Sequence, residues 1–277
     1  MGFRINTNIA SISAQRSLGV SNRESEGVLS KLSSGTRITK ASDDAAGLAI
    51  SEKMKANIRS MKQADRNAND GISMVQTAEG GLNEVSSILT RMRELAMQTS
   101  SDTVGDVERG MTNLEYQNLK LELERISQVT EFNGKKLLNG EGDMYDFQIG
   151  VNNNSFEDRI SYNAGEANSR LENLGVAELD VGTKEGSQES LASLDSAIEK
   201  VSGQRAYLGA IQNRLTSTSN NLQISTENLS AANSRIRDLD YADATAQKAK
   251  IDILNAAGTS VLAQANMNSQ NALKLIG

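Results

Sequence analysis

Few residues of this chain have the types and spacing that support chemistry. Asp43 and Asp44 stand side by side, and adjacent carboxylates can serve as a metal pair. Asp ahead of a helical run more often caps orphan N–H groups and complements the helix dipole, and the stretch after Asp44 has a helical pattern. His and Cys are both absent, so neither the usual zinc constellations nor a disulfide framework can be built. No catalytic residue, metal ligand or cofactor contact is therefore assigned. The other candidates concern recognition. Arg37 reads either as an interfacial anchor to a neighbouring chain or as a solvated loop cation. Asn133-Gly134 and Asn139-Gly140 are ordinary turn chemistry.

The elements that position these residues are long helices. Among 277 residues there is no Pro, where average usage near 5% predicts roughly fourteen, and helix interiors are where Pro is least tolerated. Aromatic residues are 3% of the chain and Trp is absent, which argues against a thick globular core. A net charge of −6 argues against a nucleic-acid binder, which needs a basic face to neutralise phosphates. The first residues lack a secretory signal and miss the myristoylation pattern at Asn6, and no stretch is apolar enough for membrane insertion. Targeting rules alone would place the chain in the cytoplasm.

Two seven-residue series run through the sequence. Met54, Met61, Ala68, Val75, Leu82, Leu89 and Ala96 form the first, with mixed alternates Ser51, Ile58, Asp65, Ile72, Glu79, Ser86 and Arg93. Leu194, Val201, Leu208, Leu215, Leu222, Leu229 and Ile236 form the second, with Leu191, Ile198, Arg205, Gln212, Ser219, Thr226 and Asn233 as alternates. Such repeats keep one seam of a helix against its neighbours. Facing each other, the two helices would extend roughly 65 to 70 Å each, giving a rod. A third helix over 107–129 is expected to bury two stripes, one of Met111, Leu114 and Leu121 and one of Leu119, Leu123 and Ile126. After it the turn signals, with strand-like runs at 144–151 and 156–162, predict a small β-hairpin region, and the return helix is expected near Gln188.

The two ends are thinner. Residues 251–275 place Ile251, Leu254, Gly258, Val261, Ala265, Asn268, Ala272 and Leu275 at alternating three and four spacing. The front offers Ile5, Ile9 and Ile12, then a gap rich in Ser, Arg and Glu, then Val28, Leu29 and Leu32. Neither end buries enough apolar surface to offset its ordering entropy alone, so helix here is expected only under cover from neighbours. The candidate subunit-packing residues are Ile5, Ile9, Ile12, Arg37, Ile251, Leu254, Val261, Ala265 and Leu275.

Several segments resemble bacterial flagellin and span nearly the whole chain. Ile5-Asn6-Thr7-Asn8, Ser34-Gly35-Thr36-Arg37-Ile38 and Asp43-Asp44-Ala45-Ala46-Gly47-Leu48-Ala49-Ile50 are similar to the family's opening blocks. Asn69-Asp70-Gly71-Ile72-Ser73, Arg91-Met92-Arg93-Glu94-Leu95-Ala96 and Phe132-Asn133-Gly134-Lys135-Lys136-Leu137-Leu138 follow in the family's order. Gln212-Asn213-Arg214-Leu215, Ser234-Arg235-Ile236-Arg237-Asp238 and Leu262-Ala263-Gln264-Ala265-Asn266 resemble its carboxyl-terminal blocks.

The resemblance implies a mainly α fold: a rod of long antiparallel heptad-patterned helices, a small β-hairpin region, and terminal helices forming a coiled-coil pair. The implied layout takes 1–42 as half of an inner terminal domain with its spoke, and 43–132 as the first part of the rod. Residues 133–187 would be the β region and loop, 188–236 the return helix, and 237–277 the other half of the inner domain. Export through the flagellar type III apparatus and polymerisation into a filament are implied, which overrides the cytoplasmic placement. Implied partners are further copies of the chain, an export chaperone, the filament cap and hook-associated proteins. A hook–filament junction protein is the alternative. Arg91, Leu95 and Glu115 match positions that many flagellins present to Toll-like receptor 5, although Thr90 departs from a commonly larger polar residue. Ser269 and Ala272 depart from the family's usual Pro and larger residue. The zinc peptidase that some flagellins carry needs the two His of a HExxH helix, which this chain lacks.

Overall fold

The computed structural model describes residues 7–142 and 144–274, with side chains as far as 267. Its elements are α1 (Ile9–Ser34), α2 (Ala45–Thr99), α3 (Asp106–Val129), β1 (Glu131–Phe132), β2 (Lys135–Lys136), β3 (Met144–Gln148), β4 (Arg159–Asn163), α4 (Leu171–Leu174), α5 (Lys184–Arg237) and α6 (Tyr241–Lys274). This is the expected mainly α chain with short antiparallel hairpins. It divides into two compact units: residues 57–227 form one, and residues 1–56 with 228–277 form the other.

The 57–227 unit holds the larger core. Within it α2 and α5 run antiparallel, with Arg93 paired to Asp195 toward one end and Ser219 bonded to Asp65 toward the other. Ala68, Val75, Leu82, Leu89 and Ala96 of the first series are buried, as are Leu194, Val201, Leu208, Leu215 and Leu222 of the second. A further stripe of α2 is also buried, composed of Ala64, Ala78, Val85, Met92 and Thr99 at multiples of seven. Small residues and a hydroxyl hid this stripe from a search for large apolar periodicity. Thr99 satisfies its hydroxyl by donating to the Leu95 carbonyl of its own helix.

Helix α3 corrects the sequence expectation. It buries one face, not two: Tyr116, Lys120, Leu123 and Ser127 turn inward, whereas Met111, Leu114 and Leu121 are exposed. The inward cations explain the inversion. Arg109 donates to the carbonyls of Thr99 and Ser101, and Lys120 donates to the carbonyls of Ala177 and Leu179. Their alkyl stems fill core space while the charged heads satisfy backbone acceptors that would otherwise be orphaned. Burial holds the Lys120 ammonium below its ordinary pKa.

The turn signals form as expected at Asn133-Gly134, where φ values of 50° and 76° join β1 to β2 in a two-residue hairpin. Strands β3 and β4 pair from Met144↔Asn163 to Gln148↔Arg159 and are shorter than the sequence suggested. Residues 149–158 instead form a closed loop around Asp158. Its carboxylate accepts from the N–H groups of Asn152 and Asn154, and its carbonyl accepts from those of Ile149 and Gly150. A Cβ at Gly150 would lie 1.8 Å from an Asp158 carboxylate oxygen, so only glycine fits there. Helix α5 starts at Lys184, four residues before the expected point.

In the other unit, α1 and α6 pair antiparallel. Asn8 and Ser11 reach Ala265 and Asn266 at one end, and the Tyr241 hydroxyl donates to the Leu32 carbonyl at the other. On α1 the seam is Ser11, Ala14, Leu18, Ser21, Ser25, Val28 and Leu32, all at least partly buried. On α6 it is Ala244, Lys248, Ile251, Asn255, Gly258, Leu262 and Ala265, at alternating steps of four and three, with Leu18 packed against Gly258. The Ser-rich gap noted in the sequence is thus part of the seam. Small residues let the helices approach but bury little apolar area.

Candidate assembly surfaces

Asp43 and Asp44 act on the local backbone. Asp44 accepts from the Gly47 N–H at 2.8 Å and opens α2 as a cap. The Asp43 carboxylate accepts from the Lys40 and Thr39 N–H groups and the Thr39 hydroxyl, which close the 39–43 turn and hold its pKa below the ordinary value. Arg37 is engaged within its own unit. Its backbone N–H donates to the Arg237 carbonyl at 2.7 Å, and two guanidinium N–H groups converge on the Ile236 carbonyl. Thr36 bridges Asp238, the Leu239 N–H donates to the Gly35 carbonyl, and Arg237 contacts Ser51 and Glu52. Together these bonds clasp the segment after α1 to the end of α5.

The remaining packing candidates of this unit separate into two sets. Ile251 and Ala265 are buried beneath α1. Ile9, Ile12, Leu254 and Val261 are exposed, along with Val20, Leu29 and Ile253. Leu254 and Val261 therefore leave the seam to which their spacing assigned them. Ile5 and Leu275 lie outside the described residues, and the side chains at Ser269 and Ala272 are likewise beyond description. The helix pair fills much of its seam with small residues and presents many of its larger aliphatic ones outward, unlike a self-sufficient bundle.

In the 57–227 unit Arg91 and Glu115 come together across α2 and α3. Arg91 Nε and Nη2 donate to Glu115 Oε1 at 3.0 and 2.8 Å, and Nη1 donates to Glu94. The Glu115 bond, then the Glu94 bond, raises the Arg91 pKa. Leu95 does not join them at the surface, because it is 2% exposed and belongs to the core. Of the three candidates the structure thus brings Arg91 and Glu115 together at the surface and places Leu95 in the core, since one turn of α2 at this level straddles the edge of the buried face. Sequence reasoning also missed Val107, Met111, Leu114 and Leu121 as an outward stripe and Phe156 as an outward aromatic. The seven-residue spacing of Glu108, Glu115 and Glu122 on α3 was a signal that the adjoining stripe borders water.

Among the described residues no His, Cys, Asp or Glu cluster could hold a metal, and no helix is long and apolar enough to cross a membrane. What the molecule offers instead is apolar surface on helices that its own chain leaves uncovered.

Comparison with known proteins gives this surface a context. Residues 5–143 match the bacterial flagellin N-terminal helical region, and residues 191–276 match the C-terminal helical region. A flagellin of Halalkalibacterium halodurans is 43% identical over 272 residues, covering 98% of this chain and 99% of that one. A flagellar filament core protein of Brachyspira hyodysenteriae is 40% identical, covering 98% and 99%. The crystal structure of Bacillus cereus flagellin, 28% identical, superposes with a TM-score of 0.51 over 57% of this chain and 88% of that one. With both helical regions matched in order and full-length relatives at this identity, the chain belongs to the bacterial flagellin family.

Proposed function

We propose that this chain is the repeating structural subunit of a bacterial flagellar filament, exported and polymerised outside the cell to serve swimming motility. It is a structural protein and not an enzyme. The observation that carries the reading is the outward apolar set of the α1–α6 pair, Ile9, Ile12, Leu254 and Val261. A helix pair with a thin inner seam and aliphatic outer faces gains its stability when copies cover those faces, so ordering of the ends and polymerisation become one event. Contacts repeated by a screw operation then give an open helical polymer. The full-length likeness to flagellins and to a filament core protein favours this over the hook–filament junction alternative. Electron microscopy of the purified protein tests it: extended filaments are expected, and failure to form them under any polymerising condition would refute the reading.

The export chaperone, the cap and the hook-associated proteins are proposed partners on the family resemblance. Recognition by Toll-like receptor 5 is supported by the exposed Arg91–Glu115 pair. A receptor-reporter assay on the monomer is expected to respond, and to lose most of that response in Arg91→Ala. Silence at saturating wild-type protein would sink this part of the proposal.

A further inference from the structure

Two uncovered apolar features of the 57–227 unit remain without a role. On α3, Val107, Met111, Leu114 and Leu121 follow at steps of four, three and seven, forming one stripe in which each side chain is 67% to 71% exposed. On the loop between β3 and β4, Phe156 is 90% exposed, the most of any large apolar side chain among the described residues.

Phe156 is not on a loose tether. Five bonds of Asp158, including its own N–H to the Asn154 carbonyl, close the loop, and the Phe156 N–H itself donates to Asn154 Oδ1 at 3.1 Å. A pre-organised loop that holds an aromatic ring in water loses little conformational freedom when the ring is buried, which is what a docking knob requires. Charge follows the same division. Beside Phe156 a groove of about 460 Å³ is lined by Glu157, Arg159 and Arg214, and Arg214 pairs with no carboxylate among the described residues. Along the α3 stripe runs the row Glu108, Glu115 and Glu122, in which Glu108 has no cationic partner among the described residues.

We infer that Phe156 of one copy docks on the α3 stripe of a second copy, with Arg214 facing the acidic edge of that stripe. A repeating subunit must carry both halves of each heterologous contact on its own surface, and knob and stripe are such halves. They cannot meet within one chain. Asn67, which donates to the Gln148 carbonyl at the base of the loop, and Arg91, which holds Glu115 on α3, stand 24 residues apart on α2, roughly 36 Å. The inference rests on the filament reading and names a contact within it.

The absence of Cys makes the test clean. Cysteines introduced at exposed neighbours, Ser155→Cys beside the knob and Asn118→Cys within the stripe, leave the apolar groups in place. Filaments of the double variant, oxidised with copper–phenanthroline and dioxygen, are expected to give a ladder of cross-linked oligomers on a non-reducing gel, absent from either single variant. Phe156→Ala is expected to raise the critical concentration for polymerisation at least tenfold while leaving the monomer's thermal transition unchanged. Normal filaments with no ladder, together with unimpaired polymerisation of Phe156→Ala, would overturn the docking alone and assign these faces to another partner. No filaments from the unaltered protein would overturn the subunit reading and this contact with it.

Discussion

The two units are made from the same kind of element and differ in what fills their seams. In the 57–227 unit, Leu82, Leu89, Leu194, Leu208 and Leu215 interlock with Val, Met and Tyr across three helices and a hairpin. In the terminal unit, Ser11, Ser21, Ser25, Ala244, Gly258 and Ala265 occupy many of the equivalent repeat positions, and Ile9, Ile12, Val20, Leu29, Ile253, Leu254 and Val261 stand outside. The repeat alone therefore does not make a stable bundle; the volume placed on it does. A unit whose core is inside can fold before assembly, whereas one whose larger side chains point outward is completed by its neighbours.

Trimming α1 and α6 from the terminal unit is the most drastic way to probe this contrast. A fragment lacking residues 1–40 and 240–277 is expected to keep a cooperative thermal transition and to form no filaments; filaments of normal length from it would break the account. Next in size, Leu208→Ala in the larger unit should cost about 2–5 kcal/mol in chemical denaturation, because Leu208 is fully buried. The matching truncation in the terminal seam, Ile251→Ala, should leave that denaturation midpoint in place and weaken polymerisation instead. An equal loss of monomer stability from both would erase the distinction. Smaller again is Lys120→Ala, which removes both donors from the Ala177 and Leu179 carbonyls and should cost about 1–3 kcal/mol.

The smallest effect is one of acidity. Glu124 is partly buried, which raises its pKa, but the Leu171 N–H, Gln128 and Arg170 outweigh that and hold it below the ordinary carboxyl value. A carboxyl depressed in the folded state stabilises fully above its unfolded pKa and loses that contribution as pH falls through the lower folded value. Melts of the larger unit should therefore lose a small part of their stability on acidification below the ordinary carboxyl range, a loss that Glu124→Gln should abolish.

Much of this was legible because leucine at every seventh position is a strong signal, and Asn133-Gly134 carries its hairpin turn in the sequence itself. The failures share a cause. Lys120 and Arg109 carry no core signal in the sequence, because what draws them inward is backbone carbonyls of neighbouring loops, and no side-chain pattern encodes those acceptors. Met111, Leu114 and Leu121 read as core because apolar character does not say whether the partner is the same chain or another. Leu95 was misplaced for the converse reason, since sharing a helical face with Arg91 does not fix which side of the burial edge each occupies. Serines at seam positions carry no hydrophobic signal at all, although there their small size is what matters.

Hydrogen exchange measured residue by residue on monomer and filament tests the central claim most directly. Amides of 57–227 should be protected in both states, while those of α1 and α6 should exchange rapidly in the monomer and become protected on polymerisation. Protection of α1 and α6 in the monomer equal to that of the larger unit would contradict the account.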